Sequence, residues 1–201
     1  MMKDFWNERY AEDGLAYGEQ ANEFLITQVS LLPPKANVLV IGDGEGRNGV
    51  WLAGQGFQVT SVDYSHVAID KINAFAKERQ VSVKAVFADL TTWDWPEETF
   101  DVVVSIYVHF PPDHRAQMHS NMIKALKPGG KIIMEAFHKE QLEYSSGGPP
   151  VEEMLFSEAM LKEDFNEAKI LELYETITYL EEGKYHVGDG AVVRLIAEKP
   201  E

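Results

Sequence analysis

The chain has no cysteine. That excludes disulfides, thiolate metal sites and a thiol nucleophile or thiol-linked intermediate. Basic residues are scarce: 18 lysines and arginines stand against 33 aspartates and glutamates, a formal net charge of −15. A surface of that sign repels phosphate backbones, so nucleic acid is not an expected partner. No apolar run approaches membrane-spanning length. The first residues, Met1-Met2-Lys3-Asp4-Phe5, lack the apolar stretch of a secretory leader. A soluble cytoplasmic protein is the default expectation, with the oligomeric state left open. The sequence has no internal repeat and no low-complexity tract. Its 201 residues, 45% of them apolar, suit one domain over 1–201 with a substantial core.

What is present is a regular alternation of apolar and polar runs. Buried-strand patterns cover residues 37–41, 58–62, 81–87, 101–106 and 131–136, with helical patterns over 47–55, 65–79 and 114–126 between them. Helices over 4–12 and 21–31 precede this series, and the second stops before Pro33-Pro34. A short helix over 157–163 and two long strands, 169–180 and 191–198, follow it. The pattern predicts an α/β protein with a mostly parallel sheet. The glycine-rich stretch 181–190 predicts a hairpin, which makes the last strand antiparallel. Residues 138–156, with glycine and proline concentrated at 145–150, form the candidate lid.

The first strand runs into Gly42-Asp43-Gly44-Glu45-Gly46. Glycines there permit a tight turn and close backbone approach to a ligand. A lone glycine fingerprint carries little, but this one follows a strand and opens a helix. The second strand ends in Asp63, at a spacing suited to accepting two ribose hydroxyls. Phe87-Ala88-Asp89-Leu90 ends the third strand, where an aspartate accepts from an adenine amine. A nicotinamide dinucleotide would share much of this. Against it, the third glycine follows the second after one residue, and two carboxylates in the loop oppose a pyrophosphate. S-adenosylmethionine has no phosphate and carries a sulfonium and an ammonium, so it suits an acidic loop. No Gly-Lys-Ser/Thr is present for a triphosphate loop.

With Leu126-Lys127-Pro128-Gly129-Gly130 added, the chain resembles the class I S-adenosylmethionine-dependent methyltransferases over residues 37–136. Phe5-Trp6-Asn7-Glu8-Arg9-Tyr10, Tyr17-Gly18, Asn22-Glu23-Phe24-Leu25, Gly44-Glu45-Gly46-Arg47-Asn48 and Ser146-Gly147-Gly148-Pro149 extend the likeness to the tellurite-resistance and thiopurine methyltransferase-like branch. The resemblance implies a Rossmann-like, doubly wound seven-stranded sheet with helices on both faces. It also implies methyl transfer from S-adenosylmethionine to a small molecule, such as a thiol or a selenium or tellurium oxyanion. Gly42 and Gly44 would lie under the methionine and ribose, Asp63 would hold the ribose, Tyr64 and Leu90 would flank the adenine, and Asp89 would bind its amine. The Ile106 backbone would help hold the amino group, and Arg47 with Tyr10 or Tyr17 would meet the carboxylate. Acceptor contacts would come from 1–31 and 138–160.

Plainer readings stand beside these. Asp63 caps the next helix, Asp89 is a turn residue, and Arg47 pairs with Asp43 or Glu45. Trp6 and Tyr10 pack as core rather than meet a ligand. His109, after the fourth strand, is the candidate base or substrate-binding residue, with loop packing as its alternative. His114 and His119, five apart, do not share a helix face, and no metal site is expected. A nicotinamide-dependent oxidoreductase and a non-catalytic cofactor-binding protein remain the alternatives in function.

Overall fold

The computed structural model describes residues 2–201, with side chains from Asp4 onward; Met1 lies outside the described residues. Two N-terminal helices, α1 (Met2–Tyr10) and α2 (Glu23–Gln28), precede the sheet. The sheet strands are β1 (Asn37–Ile41), β2 (Gln58–Asp63), β3 (Val83–Phe87), β4 (Phe100–Ile106), β5 (Leu126–Phe137), β6 (Lys169–Glu182) and β7 (His186–Glu198). The crossover helices are α3 (Arg47–Gly54), α4 (His66–Glu78) and α5 (Pro112–Ala125), and a short α6 (Glu158–Asp164) precedes β6.

All seven strands join one sheet in the order β3-β2-β1-β4-β5-β7-β6. The first five are parallel; β7 slots in antiparallel between β5 and β6. Order reverses between β1 and β4, so the connections leaving their carboxyl ends part and leave a crevice.

Alternation along the central strands builds two cores. Val38, Val40, Val102 and Val104 face one way and pack with Phe24 and Leu25 of α2 and Leu52 of α3. Leu39, Ile41, Val103, Ile132 and Met134 face the other way and pack with Met118 and Met122 of α5 and Leu161 of α6. Local chemistry fixes the helix starts. The Asn22 side chain accepts from Leu25 N–H at 3.1 Å, and Ser65 accepts from Ala68 N–H at 3.2 Å, each satisfying a free donor of a first turn. No helix among the described residues is long and apolar enough to cross a membrane.

Several element ends differ from the sequence expectation. The helix expected over 21–31 is α2 followed by a 3-10 turn at Val29–Leu31. Strand β5 begins at Leu126 rather than 131, because Leu126 pairs with Phe100 ahead of a bulge and takes the Lys127–Gly130 turn into the strand. The last two strands extend through the expected loop. Glu181 pairs with Val187 and Glu182 with His186, which leaves only residues 183–185 at the tip, where Gly183 takes φ +68°.

Candidate active site

The sequence after β1 turns sharply because Gly42 and Gly44 adopt φ of +55° and +58°. A Cβ on Gly42 would stand 2.7 Å from Val108, and one on Gly44 would stand 2.8 Å from the Tyr10 hydroxyl. Asp63, at the end of β2, accepts from Gly44 N–H at 2.9 Å and from Ser65 N–H at 2.8 Å. The plain reading of Asp63, a tie at the head of α4, is therefore present in part. Each carboxylate oxygen retains a lone pair for a further donor. Burial pushes the Asp63 carboxyl up to about 6, against its backbone hydrogen bonds.

The two acids of the glycine loop have separate tasks. Asp43 turns inward, accepting from the Ser61 hydroxyl at 2.6 Å and from Gly49 N–H at 3.3 Å. Burial raises it to about 7. Glu45 accepts from Ala16 N–H at 2.6 Å and from the Lys71 ammonium at 2.8 Å, tying the N-terminal segment to α4.

A cavity of about 810 Å³ opens over the crevice. Tyr17, Gly42, Gly44, Arg47, Asp63, Tyr64, Ile106 and His109 all line it. Asp89 and Leu90 do not. Asp89 is exposed and accepts from both the backbone N–H and the hydroxyl of Thr91, the geometry of a turn. It still reaches Tyr64 electrostatically: burial first, then Asp63 and Asp89, push the Tyr64 phenol upward. Leu90 instead packs against the core with Trp93 and Trp95. Trp6 stacks on Tyr10 at 5.4 Å, and both rings face the cavity.

Arg47 pairs with neither Asp43 nor Glu45. Its guanidinium meets Glu182 at 3.0 Å and the Gln20 carbonyl at 3.3 Å. His109 has both ring nitrogens engaged. Nδ1 lies 2.7 Å from the Met154 carbonyl and Nε2 accepts from Phe137 N–H at 3.2 Å. Burial lowers its pKa to about 4. The neutral ring is thus held as a brace between β5 and the late loop, without a free lone pair for a proton in this arrangement.

The late loop is pinned to the sheet. Gln141 donates to Ser146 Oγ and to the Gly147 carbonyl, both at 3.0 Å, and accepts from Ala191 N–H at 2.7 Å. Ser146 donates to the Asp189 carbonyl at 2.8 Å. Residues 145–150, apart from Ser146, supply one wall of the cavity.

The N-terminal segment closes a further side as a strap. Lys184 N–H donates to the Ala16 carbonyl at 2.9 Å, and Tyr185 donates to Glu12 at 2.5 Å. Behind the site runs a buried polar network. Glu135 accepts from Asn22 at 2.6 Å, Tyr107 at 2.7 Å and Arg194 at 2.5 Å. Tyr107 follows β4 with φ +56°, an unusual backbone for a bulky residue. By sequence Glu181-Glu182 reads as a solvated acidic run and His186 as a weak candidate, and nothing marks Glu135 or Arg194. Glu182 is instead held inside by Arg47 and His186, because these partners are brought together only by the sheet.

Comparison with known proteins decides the family. A sequence family described as a methyltransferase domain matches residues 38–130. Thiopurine S-methyltransferase of Vibrio cholerae serotype O1 is 31% identical over 164 residues, covering 73% of this chain and 74% of that protein. The chain belongs to the thiopurine methyltransferase-like branch of the class I S-adenosylmethionine-dependent methyltransferases. This agrees with the resemblance carried by the glycine turn, Asp63 and the N-terminal motif. A ubiquinone biosynthesis O-methyltransferase of Rickettsia conorii is 29% identical over 145 residues, 72% of this chain, and this chain spans 50% of its length. Among solved structures, TehB from Haemophilus influenzae superposes with a TM-score of 0.72 at 21% identity, covering 98% of this chain and 66% of that one, which bears on the fold.

Proposed function

We propose that this methyltransferase-family chain binds S-adenosylmethionine in the crevice cavity and methylates a small-molecule acceptor there. The observation that carries the reading is Asp63. Its buried carboxylate lines the cavity with lone pairs to spare, beside two glycines whose turn leaves no room for a side chain. The donor set fits the cofactor. Asp63 would hold the ribose hydroxyls, Tyr64 would lie against the adenine, and the Gly42–Gly44 backbone would pass close beneath. The acid-lined wall suits a cationic ligand and opposes a pyrophosphate. When bound, S-adenosylmethionine supplies a methyl group made labile by its sulfonium.

The chain's own part is alignment and exclusion of water. The strap, the pinned loop and the β6–β7 hairpin wall the cavity on separate sides. The strap and hairpin come from opposite ends of the sequence, which supports reading 1–201 as one functional domain. A thiol acceptor is the first candidate, since the Vibrio cholerae relative is a thiopurine S-methyltransferase. A selenium or tellurium oxyanion is the second. Arg9 favours it, because this guanidinium lines the cavity over Tyr185, at 3.8 Å, donates to the Tyr17 hydroxyl at 3.1 Å and has no carboxylate partner among the described residues.

Calorimetric titration with S-adenosylmethionine, S-adenosylhomocysteine, NADH and NADPH, with Asp63→Ala as control, tests the reading. Binding of the first two, weakened by the substitution, is expected, followed by S-adenosylhomocysteine release with a thiol panel. Binding of a nicotinamide instead, or of nothing, refutes it.

A further inference from the structure

The hairpin carries one histidine into the cavity. His186 opens β7 directly opposite Glu182, the last residue of β6. Its Nδ1 lies 3.1 Å from Glu182 Oε2, the same oxygen that Arg47 meets at 3.0 Å. Asn22 donates to the other carboxylate oxygen at 3.1 Å. Burial opposes ionisation of Glu182, but the His186 hydrogen bond and the Arg47 charge bring it down to about 2. An anionic acceptor at Nδ1 fixes the tautomer with N–H on Nδ1 and the lone pair on Nε2.

No hydrogen-bond partner occupies Nε2 among the described residues. The late loop passes so close to this edge of the ring that a Cβ on Gly147 would stand 3.0 Å from Nε2. Tyr17, Tyr107 and Phe137 surround the imidazole, with ring centroids at 4.5, 4.7 and 5.2 Å.

Sheet order says what this corner faces. Asp63 and Tyr64 lie at the end of β2, on one side of β1. Tyr107, Phe137 and His186 lie at the ends of β4, β5 and β7, on the other side. On the proposed reading, with the ribose at Asp63, the aromatic corner falls to the acceptor.

We propose that His186 is the general base of the transfer, positioned by Glu182, and acts on an acceptor whose attacking oxygen or sulfur still carries its proton. That proton passes to Nε2 as the new bond to the methyl carbon forms. The bond from methyl carbon to sulfonium breaks with its electron pair left on sulfur, giving a neutral thioether. The imidazolium then releases the proton to solvent. An acceptor already ionised has no use for the base.

The groups facing the ring fit this role. Burial, with the charges of Arg47 on α3 and Arg9 on α1, holds the imidazole below its usual range, and Glu182 works against them. Tyr17, Tyr107 and the neutral His109 complete the surroundings, with Glu135 behind Tyr107. The result is a ring that is neutral near pH 7, the state a base requires.

The test loads the wild type and His186→Gln with S-adenosylhomocysteine and titrates each with 4-nitrophenol, whose phenolate absorbs visible light. The wild type is expected to bind the phenol and ionise it at lower pH than in free solution; His186→Gln is expected to lose the shift while keeping its S-adenosylhomocysteine affinity. With S-adenosylmethionine, neutral phenols and thiophenols should react about 10²–10⁴-fold more slowly in the variant, and a thiophenol ionised at the assay pH should lose little. An equal shift in both proteins overturns the role of His186. Failure of the loaded wild type to bind any phenol or thiophenol overturns the placement of the acceptor beside His186, whereas failure to bind S-adenosylhomocysteine overturns the cofactor reading beneath it. Should His186→Gln not fold, ¹⁵N-histidine spectra of the wild type decide. Nε2 must be the unprotonated nitrogen and must take up a proton when 4-nitrophenol binds; an Nε2–H tautomer refutes the proposal.

Discussion

A nucleoside that donates its ribose hydroxyls to Asp63 binds the ionised carboxylate and not the protonated one. Burial raises that carboxyl to about 6 in the ligand-free protein. Near pH 8 almost every site is ionised, and near pH 5 about one in ten is. Affinity should therefore fall about tenfold between those pH values, about 1.4 kcal/mol, with a proton released on binding near pH 6. The sign follows from linkage. Ligand favours the deprotonated form, so binding strengthens as pH rises through about 6 and pulls the carboxyl downward. 5′-Methylthioadenosine is the suitable probe, because it keeps the sugar and base but lacks the amino acid end that itself titrates. Asp63→Asn removes the proton and also leaves either Gly44 or Ser65 N–H facing an amide nitrogen, a loss of about 1–3 kcal/mol. Its binding should be weaker throughout and flat with pH. Calorimetry in two buffers of different ionisation heat reads both the affinity and the proton. Equal wild-type affinity near pH 5 and pH 8, or the same slope in Asp63→Asn, would refute the reasoning.

Gly44→Ala forces a side chain into φ +58° against the Tyr10 hydroxyl, at about 1–2 kcal/mol; a lower melting temperature and at least tenfold weaker S-adenosylhomocysteine binding should follow. Gly183→Ala places a Cβ 2.4 Å from Gly18 N and 2.5 Å from the Ala16 carbonyl, so the strap must shift; limited proteolysis should cut residues 11–20 faster than in the wild type. Glu135→Leu removes the shared acceptor of Asn22, Tyr107 and Arg194; urea unfolding should show a loss of about 3 kcal/mol, and a change under 1 kcal/mol would contradict the network's importance.

The central strands were legible because each is a short apolar run buried on both faces, bounded by turn residues. The hairpin ends were not. Residues 181–190 are polar and glycine-rich, yet pairing across the sheet makes them strand, and only 183–185 remain as turn. The glycine loop and Asp63 were readable for a related reason: Gly44 lies in the loop leaving the adjoining strand and Ser65 two residues beyond Asp63, both at known offsets. Arg47 shows the limit. Its carboxylate partner stands 135 residues away, while two acids nearby in sequence were the obvious choices. His109 is similar: Met154 and Phe137 engage its nitrogens, and nothing near it in sequence announces either contact. Asp89 shows the turn geometry of its plain reading, held at the surface by Thr91.

The strap's ties have a kinetic consequence. Glu12 and Lys184 stand 172 residues apart in the chain, and closing a loop of that length costs on the order of 4–5 kcal/mol of entropy. The ties to the hairpin are largely surface contacts, each worth at most about 1 kcal/mol. Docking of the strap therefore follows assembly of the sheet, and its release must break these ties together with the buried Ala16 N–H bond to Glu45. A ligand lying between strap and sheet leaves when the strap lets go, so residence time in the cavity should track the opening rate at residues 12–18 rather than the strength of any single contact inside.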